Sequence, residues 1–135
     1  MSQLIKILIV EANSNVTELL MRELYRAGFD PHWLQVETET DYLANLSPDL
    51  DLILSDYDMQ QFSSRRALEL LQQRALQVPF ILVTDAKHVE IAVKMVQVGV
   101  ADYVLKEQIA EFGQIVHHAM KEFGQRNGHE QPART

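Results

Sequence analysis

Short apolar runs alternate along the chain with longer stretches in which apolar residues recur at helical spacing. Leu4 to Val10, Leu50 to Leu54 and Phe80 to Val83 are rich in Ile, Leu and Val, and each is too short for an ordinary helix. Continuous rather than alternating hydrophobicity marks strands covered on both faces, the condition of a parallel sheet packed between helices. His32 to Glu37 and Ala101 to Leu105 are weaker strand candidates. Between the runs, Val16, Leu19, Leu20, Leu24 and Ala27 fall on one helical stripe. So do Ala67, Leu68, Leu70 and Leu71, then Ile91, Ala92, Met95 and Val96, then Phe112, Ile115, Val116, Ala119 and Phe123. A short helix over Glu39 to Leu46, with Thr38 as its N-cap, completes the series. Gly28 and Gly99 stand where C-caps are expected. Strand and helix thus alternate five times, the pattern of an open, doubly wound α/β sheet with right-handed crossovers.

A length of 135 residues suits one domain with one core, and 47% apolar with 23% charged residues is ordinary for a globular chain. The stretch from Arg126 to Thr135 carries Gly128 and Pro132 and almost no apolar side chain, so it is expected to fray or to act as a linker. We place the domain at residues 1–124 and a polar tail at 125–135. The formal charge of −7 repels a phosphate backbone, which argues against direct nucleic-acid binding. There is no cysteine, hence no disulfide framework, thiolate nucleophile or cysteine-based metal site. The apolar runs fall far short of the roughly 20 residues needed to cross a bilayer, and the N-terminus passes into a strand without a cleavage signal. No membrane span and a cytoplasmic location are expected.

In an open α/β sheet, ligands gather at the carboxyl ends of the strands. The first run ends at Glu11-Ala12-Asn13, the third at Ser55-Asp56-Tyr57-Asp58, the fourth at Thr84-Asp85-Ala86, and the fifth runs into Lys106. Carboxylates, a hydroxyl and an ammonium group therefore converge on one edge. A hard cation such as Mg²⁺ takes oxygen ligands and keeps several waters, so Glu11, Asp56 and the main-chain carbonyl of Asp58 could hold it. A carboxylate can also attack phosphorus to form an acyl phosphate, provided cations neutralise the phosphoryl oxygens.

The stretches ILIVEANSN, LDLILSDYDMQQFSS, PFILVTDA and GVADYVLK resemble, in order, the four signature regions of response-regulator receiver domains of the CheY-like kind. The likeness covers roughly residues 4 to 123 and is nearest to receivers associated with hybrid sensor histidine kinases. It implies a flavodoxin-like, five-stranded parallel sheet in the order 2-1-3-4-5 with five helices. Asp56 matches the phospho-acceptor, Lys106 the lysine that pairs with the phosphoryl group, Thr84 the switch hydroxyl and Tyr103 the switch aromatic. Glu11, Asp56 and the backbone carbonyl of Asp58 match the metal-binding positions. The resemblance implies a two-component phosphorelay module rather than an enzyme, with a histidine kinase or phosphotransfer protein as partner. It also implies a readout face of helix four, strand five and helix five, through which output would pass to a partner, to a homodimer or to a further domain.

The chain departs from the family at three places. Ala12 stands at the second acidic position, normally an aspartate that ligates the metal, and a methyl group cannot do so; Mg²⁺ binding is expected to be weak or lost unless Glu11 or Asn13 moves in. Gln60 and Gln61 replace the usual proline and glycine after the third strand. Asp85 adds a carboxylate that could repel a phosphoryl group or partly replace the missing ligand.

Rival readings follow from the same residues. A pseudo-receiver would keep the fold as an interaction module and need neither Mg²⁺ nor phosphate, and Ala12 supports it. A small phosphatase is suggested by the DxD form of Asp56-Tyr57-Asp58, but that motif belongs after a first strand and no threonine trails it here. No glycine-rich loop follows the first strand, which excludes dinucleotide-binding and P-loop chemistry. His32, His88, His117, His118 and His129 lack ligand spacing and are read as structural or surface residues, and Trp33 as core or partner-facing.

Overall fold

The computed structural model describes residues 2–128. Five strands and five helices alternate: β1 (Gln3–Val10), α1 (Ser14–Arg26), β2 (Phe29–Val36), α2 (Glu39–Asn45), β3 (Leu52–Asp56), α3 (Ser64–Gln73), β4 (Phe80–Thr84), α4 (Val89–Gln97), β5 (Asp102–Leu105) and α5 (Phe112–Gly128). Short 3₁₀ turns, Ala86–His88 and Lys106–Glu111, lead into α4 and α5. All strand pairs are parallel, in the order β2-β1-β3-β4-β5. This is the flavodoxin-like arrangement that the sequence implied. The reversal of strand order lies between β1 and β3, so the crevice for a ligand opens at their carboxyl ends.

Period-two alternation sorts each buried strand between two cores. Ile5, Ile7 and Ile9 of β1, Leu52 and Leu54 of β3, and Ile81 and Val83 of β4 pack under α1 and α5. Leu8, Val10, Ile53, Phe80 and Leu82 face α2, α3 and α4. No helix among the described residues is long and apolar enough to cross a membrane.

The helix ends follow local chemistry. Thr38 Oγ1 accepts from Asp41 N at 3.1 Å and Ser63 Oγ from Arg66 N at 3.1 Å, each satisfying an orphan donor of the first turn. Gly28 and Gly99 follow α1 and α4 with φ of 95° and 132°, which L side chains rarely adopt.

Several expected boundaries and faces shift. β2 begins at Phe29, not His32, and runs through Pro31. Gln3 N and Glu11 N donate to Gly28 O and Val36 O, which turns the main-chain groups of the even-numbered β2 residues toward β1. Pro31 therefore places its missing N–H on the open edge, where no ladder bond is lost. β3 runs from Leu52 to Asp56, two residues later than the apolar run, because pairing with β1 and β4 carries the strand through Ser55 and Asp56.

On α1 the buried face is Thr17, Leu20, Met21 and Leu24, which leaves Leu19 exposed about one-quarter turn away. On α4 only Ala92 and Met95 are buried, and Ile91 and Val96 are exposed with Val93 and Val98. Trp33 is likewise exposed on the edge strand. The last helix continues to Gly128, into the stretch expected to be tail; residues 129–135, and with them His129, lie outside the described residues.

Candidate functional site at the carboxyl edge of the sheet

β3 delivers Asp56 to the crevice with only 4% of its surface exposed. Its Oδ1 accepts from Asp58 N at 2.9 Å, a tight local turn that fixes the carboxylate. Its Oδ2 accepts from Lys106 Nζ, also at 2.9 Å, across fifty positions of sequence. Lys106 enters at the end of β5, with its side chain 31% exposed. Burial lowers its pKa, but the hydrogen bond and charge of Asp56, with Glu11 and Asp58 further out, outweigh this and hold it above the ordinary lysine value.

Glu11 follows β1 and is 2% exposed. Its Oε2 accepts from Asn13 N at 3.1 Å, while Oε1 is buried with no donor. Burial first, then the hydrogen bond and charge of neighbouring Asp56, push Glu11 up to about 7. As a carboxylate its Oε1 is unsatisfied; as an acid Glu11 has neighbouring Asp56 as a hydrogen-bond acceptor. A buried carboxylate oxygen without a donor beside a second carboxylate is the chemistry a hard cation satisfies. Glu11, Asp56 and the Asp58 carbonyl thus suit Mg²⁺ as a donor set. Among the described residues, however, no three His, Asp or Glu side chains group closely enough to enclose a metal.

Thr84 ends β4, one residue past Val83, the register partner of Asp56. It is 2% exposed and its hydroxyl has no partner. Tyr103 is half-buried on β5 and packs against the core under α2, α3 and α4. Asn13, the first residue considered as a replacement for a metal-binding aspartate, is committed elsewhere: its Oδ1 caps α1 by accepting from Asn15 N at 2.9 Å. Asp85, the other carboxylate considered, turns to His88, with Oδ1 and Nδ1 2.8 Å apart. Asp85 is thus paired with the histidine three residues on.

Sequence reasoning missed two features of this rim. The loop after Thr84 is held from both sides, since the His88 ring lies 4.8 Å from that of Tyr57 and Glu107 accepts from Ala86 N at 3.1 Å and 3.2 Å. Tyr57 follows Asp56 and Glu107 follows Lys106, so position next to a site residue was the available signal. The second feature is a cavity of about 270 Å³ lined by Ala12, Glu37, Asp58 and Met59 with Gln60 and Gln61. Glu37 drew no attention in the sequence because only the sheet order brings it beside Ala12.

Comparison with known proteins bears on the family and on the fold. The family model for the response regulator receiver domain matches residues 7–117. Regulatory protein AtoC of Escherichia coli (strain K12) is 30% identical over 123 residues, which cover 90% of this chain and 26% of that protein. Among solved structures, a response regulator receiver domain protein from Clostridium thermocellum superposes with a TM-score of 0.72 at 17% identity, covering 87% of this chain and 95% of that one. Full-length FixJ from B. japonicum gives 0.73 at 18% identity, over 91% of this chain and 60% of that one. At those identities the structures speak for the fold alone. With most of its length inside the family model, this chain belongs to the response-regulator receiver domains.

Proposed function

We propose that this chain is the receiver module of a two-component phosphorelay, and that Asp56 accepts a phosphoryl group from the phosphohistidine of a kinase or phosphotransfer protein in the cytoplasm. The observation that carries the reading is the buried Asp56 carboxylate held at 2.9 Å by Lys106, beside an unsatisfied oxygen of Glu11. One Asp56 oxygen attacks phosphorus in line with the departing imidazole; the P–N bond breaks, the histidine leaves, and an acyl phosphate remains on Asp56. Lys106 moves from the carboxylate to the incoming phosphoryl oxygens and neutralises them. Mg²⁺, held by Glu11, Asp56 and the Asp58 carbonyl, would add positive charge at the same oxygens. The unpartnered Thr84 hydroxyl supplies a donor for one of them, and its displacement frees space into which half-buried Tyr103 turns. The acyl phosphate carries about −1.5 to −2 of charge where the carboxylate carried a single negative charge, and this change biases a two-state surface.

The readout surface in this proposal is α4, β5 and α5, serving a partner or a second copy of the chain. α4 exposes Ile91, Val93 and Val96, with Ile91 turned to the groove against α3. Residues 1–124 form the signalling unit and 125–135 lead out of it.

The test is incubation with acetyl phosphate and millimolar Mg²⁺, read by intact mass. One phosphoryl group is expected on the wild type and none on Asp56→Asn, with beryllofluoride shifting the Tyr103 resonances. A second reading, an interaction module independent of phosphate and metal, is favoured by Ala12 and by the lack of a three-carboxylate group among the described residues. No adduct and no shift at millimolar Mg²⁺ would select it.

A further inference from the structure

We propose that Glu37 supplies the carboxylate this site lacks at Ala12, reaching a divalent cation through one of the cation's own waters. The inference rests on the reading of Asp56 as the centre of a Mg²⁺ site, and it assigns an outer role to a residue that follows β2, a strand that contributes none of the others.

Three observations place Glu37 there. β1 and β2 pair in register through Val10 and Val36, so Glu37 follows its strand beside Glu11. Two hydrogen bonds fasten the strand ends just short of it: Glu11 N donates to Val36 O at 3.1 Å, and Gln35 Nε2 donates to Glu11 O at 2.8 Å. Beyond that fastening, Glu37 and Asp58 line the cavity that Ala12 leaves, about 270 Å³, or room for several waters.

The neighbouring oxygens narrow the choice. Asn13 is spent on the cap of α1 and Asp85 on His88. Glu39, two residues on, is held by Arg66 at 3.1 Å and 3.2 Å. Among the described residues, no hydrogen bond or ion pair engages the Glu37 carboxylate. The independent sign that a cation is wanted is Glu11 Oε1, buried at 2% residue exposure and without a donor. Because no three acidic side chains among the described residues enclose an ion directly, the role is an outer one, and Mg²⁺ favours that arrangement because it dehydrates reluctantly.

The experiment is calorimetric Mg²⁺ titration of the full chain as wild type, Glu37→Gln, Ala12→Asp and the double variant. Asp49→Asn, before the opposite end of β3, controls for lost charge, and Asp56→Asn controls for the site itself. Glu37→Gln is expected to weaken binding about 10-fold, as outer-shell losses do. In the Ala12→Asp background the same change should cost little, because the restored carboxylate makes Glu37 redundant. Equal affinities for Glu37→Gln and Asp49→Asn would overturn the proposal, as would a wild type that binds no Mg²⁺ while Ala12→Asp does. If Asp56→Asn leaves Mg²⁺ affinity untouched, the metal reading of Asp56 fails first and takes this one with it.

Discussion

The two faces of the sheet are packed to different standards. Under α1 and α5 the fit is close: His117 Nε2 donates to Ala27 O at 2.9 Å, closing the end of α1 from the other helix, while its ring stacks on Phe29 at 4.2 Å. A Cβ added at Gly113 would meet Ala27 Cβ at 2.5 Å, so α5 approaches α1 as nearly as a residue without a side chain allows. The opposite face is looser. α2 has seven residues, α4 is anchored by Ala92 and Met95, and a groove of about 600 Å³ between α3 and α4 is lined by Tyr57, Arg65, Ile91, Lys94 and Met95. Buried Ser64 there donates to the Met95 sulfur, at 3.9 Å. One face braces the sheet while the other, which holds Tyr57 and Tyr103, has room to repack. A switch needs both, since a surface can move only against something that does not.

Mutations should separate the faces, beginning with the largest effect. Phe29→Ala empties a fully buried ring position on the braced face and should cost about 3–5 kcal/mol, read as a lower urea midpoint. Gly113→Ala gains helix propensity of about 1 kcal/mol but forces α5 off α1; the net loss should reach as much as about 2 kcal/mol. A neutral or stabilised Gly113→Ala protein would mean that the brace is not tight.

The next test lies on the rim. Glu11 is raised from 4.5 to about 7, so the folded chain holds its proton more firmly than the unfolded one. The resulting stability is complete below about pH 4.5 and is lost as pH rises through 7. In metal-free buffer, wild type should therefore lose on the order of 2 kcal/mol relative to Glu11→Gln between pH 5 and pH 8. Parallel pH profiles for the two proteins would contradict the shift. The smallest effect belongs to the loose face: Ile91→Thr on exposed α4 should change stability by less than about 0.5 kcal/mol.

What the sequence disclosed follows from how locally each feature is encoded. Strands β1, β3 and β4 were legible because a run of branched apolar residues covered on both faces has no other use. β2 was clipped at His32, since proline reads as a breaker until its edge position is known. The stripes on α1 and α4 were drawn too wide because exposed Leu19, Ile91 and Val96 are as apolar as their buried neighbours; only packing tells them apart. Asp56 and Lys106 stood out through motif order. Glu37, His88 and Glu107 did not, because their roles depend on which strands and loops are neighbours, information held by the topology and by no single stretch.

Pro31 also has a consequence beyond its own strand. The outer side of β2 offers carbonyl oxygens in a row with one donor missing, so a visiting strand, including β2 of another molecule, would leave one of its own acceptors unmet. The far margin, β5, is four residues long and gives little purchase. Chains of this kind can therefore be abundant without knitting into ribbons.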